Sequence, residues 1–98
     1  MPPQPAQRTP AAIADLDSIW DYIARDSIEA ADRVLDELDD LFQHLTKNPK
    51  IGELQPNLAD GRYRRFTYRS YVIYYRPIEG TVVIIRVLHG ARDHETLV

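Results

Sequence analysis

From Thr9 onward, apolar residues recur every three or four positions. Ile13, Leu16, Ile19, Trp20 and Ile23 fall on one side of a helical projection, with Asp15, Asp17 and Asp21 off it. Thr9-Pro10 is a good start for this helix: threonine can cap it, and proline fits the first turn, where a missing N–H costs nothing. A second helical stripe follows in Val34, Leu38, Leu41 and Leu45, thickened by Ala31, Leu35 and Phe42, with Asp32, Asp36, Glu37, Asp39 and Asp40 on the solvent side. Asp26 with Glu29 three residues on reads as a capping box opening this helix, and Pro49 stops it near Lys47-Asn48. Two amphipathic helices with almost no linker predict an antiparallel helical hairpin.

Beyond a polar loop at 48–61 the period changes to that of strands. Strands are expected over Tyr63–Tyr68, Tyr71–Arg76 and Thr81–His89, with Arg69-Ser70 as a tight turn and Pro77-Ile78-Glu79-Gly80 as a hairpin break. In the last strand, strict alternation puts Val83, Ile85, Val87 and His89 on one face and Val82, Ile84 and Leu88 on the other, interrupted by Arg86. Such a strand is central and covered, and the helical hairpin is the available cover. The prolines at 2, 3 and 5 leave room at the N-terminus for a short edge strand at most. The expected architecture is α+β: an N-terminal antiparallel helical hairpin packed on an antiparallel sheet of three to four strands.

Size and composition sharpen this picture. The 98 residues make one domain, 1–98, able to bury about 60–65% of its unfolded surface. There is no cysteine, so packing rather than disulfides must hold the fold. No apolar run approaches a membrane span and residues 1–8 lack a signal-peptide core, so the expected location is the cytoplasm, with no membrane partner. The net charge of −3 conceals an asymmetry: residues 1–60 carry 5 Lys+Arg against 12 Asp+Glu, and residues 61–98 carry 7 Arg against 3 Asp+Glu. A dipolar surface of this kind favours an anionic partner on one side.

The candidate chemistry lies in the second half. Arg62, Arg64, Arg65, Arg69, Arg76, Arg86 and Arg92 could grip phosphate or carboxylate, or simply pair with the acidic helices. Tyr63, Tyr68, Tyr71, Tyr74 and Tyr75 could stack on bases, but half-buried strand tyrosine is the simpler reading. His89 and His94, near Arg92 and Asp93, could act as acid–base groups in RNA cleavage through the 2′-OH. Three histidines without cysteine or tight ligand spacing predict no metal site, and no phosphate loop or nucleophile elbow is present. Trp20 lies on the apolar stripe and reads as core.

Three segments carry a family resemblance: residues 9–24; Ala30-Ala31-Asp32-Arg33; and the sheet set Arg64-Arg65-Phe66, Tyr71–Arg76 and Ile85–Asp93. Together they resemble the ParE branch of the RelE/ParE toxin superfamily. The resemblance implies a toxin of a type II toxin–antitoxin system, serving plasmid maintenance or stress response. It would inhibit DNA gyrase by protein binding, without chemistry or cofactor of its own. It would also be held in a hetero-oligomer by a ParD-like antitoxin, with DNA met only through that antitoxin. On this reading no catalytic residue is expected, and the partner-binding set is Arg64, Arg65, Arg69, Arg86, His89, Arg92, Trp20 and Leu38. The alternatives are a RelE-like ribosome-dependent mRNA endonuclease using Arg64, Arg69, His89 and Arg92, or a diverged non-toxic member that only binds antitoxin. Phe66 in place of a basic residue and the lack of tyrosine in His94–Val98 depart from the endonuclease pattern. Arg69 stands where glycine is common.

Overall fold

The structure, a computed structural model, describes residues 4–90. The order along the chain is β1 (Gln7–Arg8), α1 (Pro10–Ala24), α2 (Ile28–Lys47), β2 (Glu53–Leu54), β3 (Arg64–Tyr68), β4 (Tyr71–Ile78) and β5 (Thr81–His89). The sheet runs β1-β5-β4-β3-β2. Two helices on a sheet is the expected α+β layer pair, but the sheet has five strands and is mixed. β1 joins the outer side of β5 in parallel, with Gln7 opposite Val83 and Arg8 opposite Ile84. The prolines shorten this strand to two residues without abolishing it. Its approach is held by the Thr81 hydroxyl, which lies within hydrogen-bond reach of the carbonyls of Gln4 (2.9 Å) and Pro5 (3.0 Å).

Thr9 caps α1 as expected, its Oγ1 accepting from the Ala12 N–H at 3.0 Å. The second cap differs from expectation. The N–H groups of both Asp26 and Ser27 fold back onto the Ile23 carbonyl at 3.0 Å, which leaves Asp26 in the turn. Ser27 therefore caps α2, accepting from Ala30 N–H at 3.1 Å, and no capping box forms with Glu29.

The core between helices and sheet contains Leu16, Leu38, Phe42, Leu45, Ile73, Tyr75, Val82, Ile84 and Val87. That list breaks the alternation read for β5, since Val82 and Ile84 share a face with Val87. The cause is a β-bulge. Tyr74 pairs with Arg86 but Tyr75 pairs with Ile84, so Ile85 is an extra residue and the faces invert across it. Ile85 and Leu88 instead join Val72, Tyr74 and Leu58 in a second apolar cluster on the sheet face away from the helices. Ile13, expected in the helix stripe, is largely exposed, and Trp20 is only partly buried. The Trp20 Nε1 donates to Asp32 Oδ1 at 2.8 Å, so this residue ties α1 to α2 rather than filling the core. Pro77 sits inside β4, where β3 has not yet begun (its first pair is Arg64 with Tyr75), and an open edge tolerates the missing donor.

Candidate functional site

Past Ile84 no strand among the described residues pairs with the outer side of β5, and α1 takes that place. Thr9 Oγ1 donates to the Ile85 carbonyl at 2.8 Å, and the Val87 N–H donates to Asp15 Oδ2 at 2.9 Å. Arg86, thrown out of the regular alternation by the bulge, closes a fork on the same carboxylate. Its Nε donates to Asp15 Oδ2 at 2.7 Å and its Nη2 to Oδ1 at 2.9 Å. The hydrogen bond to Asp15 holds the guanidinium pKa above its ordinary value. One short carboxylate thus fixes the helix to the sheet edge.

Beyond that clamp α1 and the sheet part. Between the last turns of α1 and the ends of β4 and β5 lies a cleft of about 570 Å³. Ile19, Tyr22 and Ile23 line it from the helix, and Tyr71, Val87 and His89 from the sheet. The His89 imidazole meets Tyr71 edge-on, with ring centroids 6.1 Å apart. Burial raises the Tyr71 hydroxyl pKa. Arg25 and Ser70 also border the cleft.

Among the described residues the arginines are spread over the sheet, apart from Arg62 and Arg76, which share Asp60. Arg64 Nη1 donates to the carbonyls of Gly52 at 2.8 Å and Lys50 at 3.3 Å, tying the loop before β2 to the sheet. Arg65 is exposed on the sheet face away from the helices, and its charge opposes the burial-driven rise of the Tyr74 pKa. Arg69 lies on the β3–β4 turn, 3.4 Å from Glu37 Oε2 of α2. Arg76 and Arg62 approach Asp60 at 3.4 and 3.9 Å, and Arg8 pairs with Asp39. Arg92 and His94 lie outside the described residues.

Along β3 and its neighbour the register puts Arg64 opposite Tyr75, while His89 lies opposite Tyr71 at the other end of β4. Arg64 opens β3 and Tyr68 closes it, about 13 Å apart along the strand, and Arg69 follows in the turn. Among the described residues of the predicted set, only His89 lines the cleft, with Arg69 next in sequence to Ser70 at its border. Leu38 is 0% exposed and belongs to the core, so no partner reaches it on the folded chain.

Sequence reading passed over Asp15. The signal was Arg86 itself: a charge interrupting an apolar strand demands a carboxylate nearby, and α1 offered three. Sequence reading also missed the cleft, whose polar wall comes from residues far apart in the chain.

Comparisons with known proteins place a chain of this α+β layer pair among the toxins of type II toxin–antitoxin systems. The family model described as the ParE toxin of the type II toxin–antitoxin system parDE matches residues 7–94, and the chain belongs to that family. It is 36% identical over 87 residues to a Toxin ParE1 of Mycobacterium tuberculosis, covering 87% of this chain and 88% of the relative. It is 38% identical over 95 residues to a Toxin ParE1 of Caulobacter vibrioides, covering 93% and 97%. A solved structure described as the chromosomal ParDE TA system from P. aeruginosa shares the fold, with a TM-score of 0.71 and 21% identity over 91% of this chain and 98% of that one. No helix among the described residues is long and apolar enough to cross a membrane.

Proposed function

We propose that this chain acts by binding protein rather than by cutting RNA: it inhibits DNA gyrase and is neutralised by a cognate antitoxin, with which it forms a hetero-oligomer. The observation that carries this reading is that, among the described residues, the candidate endonuclease groups do not gather: Arg64 lies at one end of β3, and Arg69 and His89 lie at the opposite end of the sheet. An endonuclease site needs its cations and its acid–base group around one phosphate, within hydrogen-bond reach. Here Arg64 is committed to backbone carbonyls, and the length of β3, about 13 Å from Arg64 to Tyr68, separates it from the turn that carries Arg69. His89 stands at the Arg69 end of the sheet, beside Tyr71, and the neighbouring Gly90 N–H donates to the Ser70 carbonyl at 2.7 Å.

Family membership supplies the toxin class. The cleft beside α1 supplies a surface of the kind a folding antitoxin segment occupies, lined by apolar side chains together with Asp15, Asp21 and Arg25. In this reading Arg65, Arg69, His89 and Arg92 meet partners, while Arg64, Arg86, Trp20 and Leu38 hold the fold.

The test is a gyrase supercoiling assay with purified protein, with and without antitoxin. Inhibition with linear DNA released by protease, reversed by antitoxin, is the expected result. Supercoiling left untouched at large excess would end the gyrase reading, and cleavage of mRNA on translating ribosomes would replace it.

A further inference from the structure

Arg69 occupies a position that penalises it. Tyr68 and Tyr71 pair across a two-residue turn, and Arg69, first in that turn, has φ 54°. An L side chain there brings Cβ against its own carbonyl, which is why glycine or asparagine fills such turns. The β4–β5 hairpin of the same sheet follows the rule, with Gly80 at φ 79°. The other non-glycine in this region among the described residues, Ala59 at φ 46°, carries only a methyl group.

The side chain returns little to the fold. Its Nε is 3.4 Å from both the Tyr68 hydroxyl and Glu37 Oε2, and the guanidinium lies 5.6 Å over the Tyr68 ring. These are long contacts on a side chain 67% exposed, where water and salt screen them. Position matters as well: the next two residues, Ser70 and Tyr71, border the cleft.

We infer that Arg69 is a recognition residue kept at the expense of folding stability, which meets a carboxylate of the protein target whose inhibition arrests growth, at the β3–β4 turn. Departures from local rules without compensating contacts are where function is found. The planar fork suits a carboxylate. Nearby Glu37 and the acidic face of α2 disfavour a polyphosphate backbone there. This inference rests on the protein-binding reading above and concerns the target rather than the antitoxin, because growth arrest reads the target alone.

The experiment sets thermal stability against growth arrest in cells expressing wild type, Arg69→Gly, Arg69→Asn and Arg69→Lys. Glycine and asparagine relieve the turn, so their melting temperature should equal wild type or exceed it by up to about 5 °C. Both should lose growth arrest by tenfold or more in surviving colonies, with lysine in between because it keeps charge without the fork. If both variants melt well below wild type, Arg69 serves the fold and the inference fails. It fails equally if they arrest growth as well as wild type does, or if wild type arrests nothing. Binding of the isolated protein to a DNA duplex that Arg69→Gly abolishes would assign a phosphate and overturn the carboxylate. Growth arrest that depends on Arg69 while gyrase supercoiling is unaffected would leave this inference standing and remove gyrase as the target.

Discussion

Asp15 and Arg86, 71 residues apart, join in a two-bonded fork whose carboxylate also accepts the Val87 N–H. It is the point where helix packing, sheet edge and bulge are settled together. Asp15→Ala removes three acceptor contacts and leaves a strand donor and a guanidinium without them. The expected loss is about 2–4 kcal/mol, below the figure for a fully buried pair because the arginine side chain is still 31% exposed. Asp15→Asn keeps one acceptor for Val87 and should lose roughly half as much. Urea denaturation of the two variants checks both the size and the order.

Tyr75 and Gly52 form a second such point. The Tyr75 hydroxyl donates to the Pro49 carbonyl and accepts from the Gly52 N–H, both at 2.8 Å, under a ring that is fully buried. Tyr75→Phe should cost about 1–3 kcal/mol through the two unpaired backbone groups. Gly52→Ala should cost more. Its Cβ would lie 2.7 Å from both Cε1 and the hydroxyl oxygen of a ring that has no room to move. A thermal shift smaller for Gly52→Ala than for Tyr75→Phe would contradict the packing described.

Burial raises the pKa of Tyr71, Tyr74 and Tyr75 above 10.0. The folded state therefore favours their neutral form. Their contribution to stability is complete below the unfolded value and is lost as pH rises through the folded one. Melting temperature should not fall on their account up to about pH 10 and should decline above it. Tyrosinate absorbance should show part of the tyrosine population titrating late. A normal titration of all six tyrosines would refute this.

Leu38→Ala is expected to cost about 2–5 kcal/mol, since a wholly buried leucine leaves a cavity between α2 and the sheet. Arg64→Ala should cost roughly 1–2 kcal/mol by freeing the Lys50 and Gly52 carbonyls. Any loss of toxicity in Arg64→Ala should follow the loss of folded protein. Toxicity lost from a chain as stable as wild type would return Arg64 to the partner surface.

The helices were readable in the sequence because burial on one side leaves a 3.6-residue period, and Thr9 announced its cap in a local pattern. The strands β3, β4 and β5 were readable from β-branched and aromatic runs. What escaped was decided by tertiary contact. The bulge at Ile85 is flanked by contacts to Thr9 and Asp15 of another layer, and alternation alone put Val87 with Ile85 and Leu88 with Val82 and Ile84. Glu53-Leu54 is too short to alternate. Asp26 and Ser27 are both good caps, and the turn onto the Ile23 carbonyl chose between them. Among candidate site residues, His89 and Arg69 could be named in advance. Their nearness to one cleft could not, because Tyr22 and Tyr71 are brought together only when α1 lies along the sheet.

The short parallel strand β1 fixes where the chain enters. Gln4 donates its N–H to the Gly80 carbonyl, at the opposite end of β5 from His89 and the cleft. Nine residues of extended strand, about 30 Å, separate these ends. A dye or surface tether joined ahead of Gln4 therefore starts remote from the cleft, and a partner can be titrated onto the immobilised chain with the cleft end turned outward.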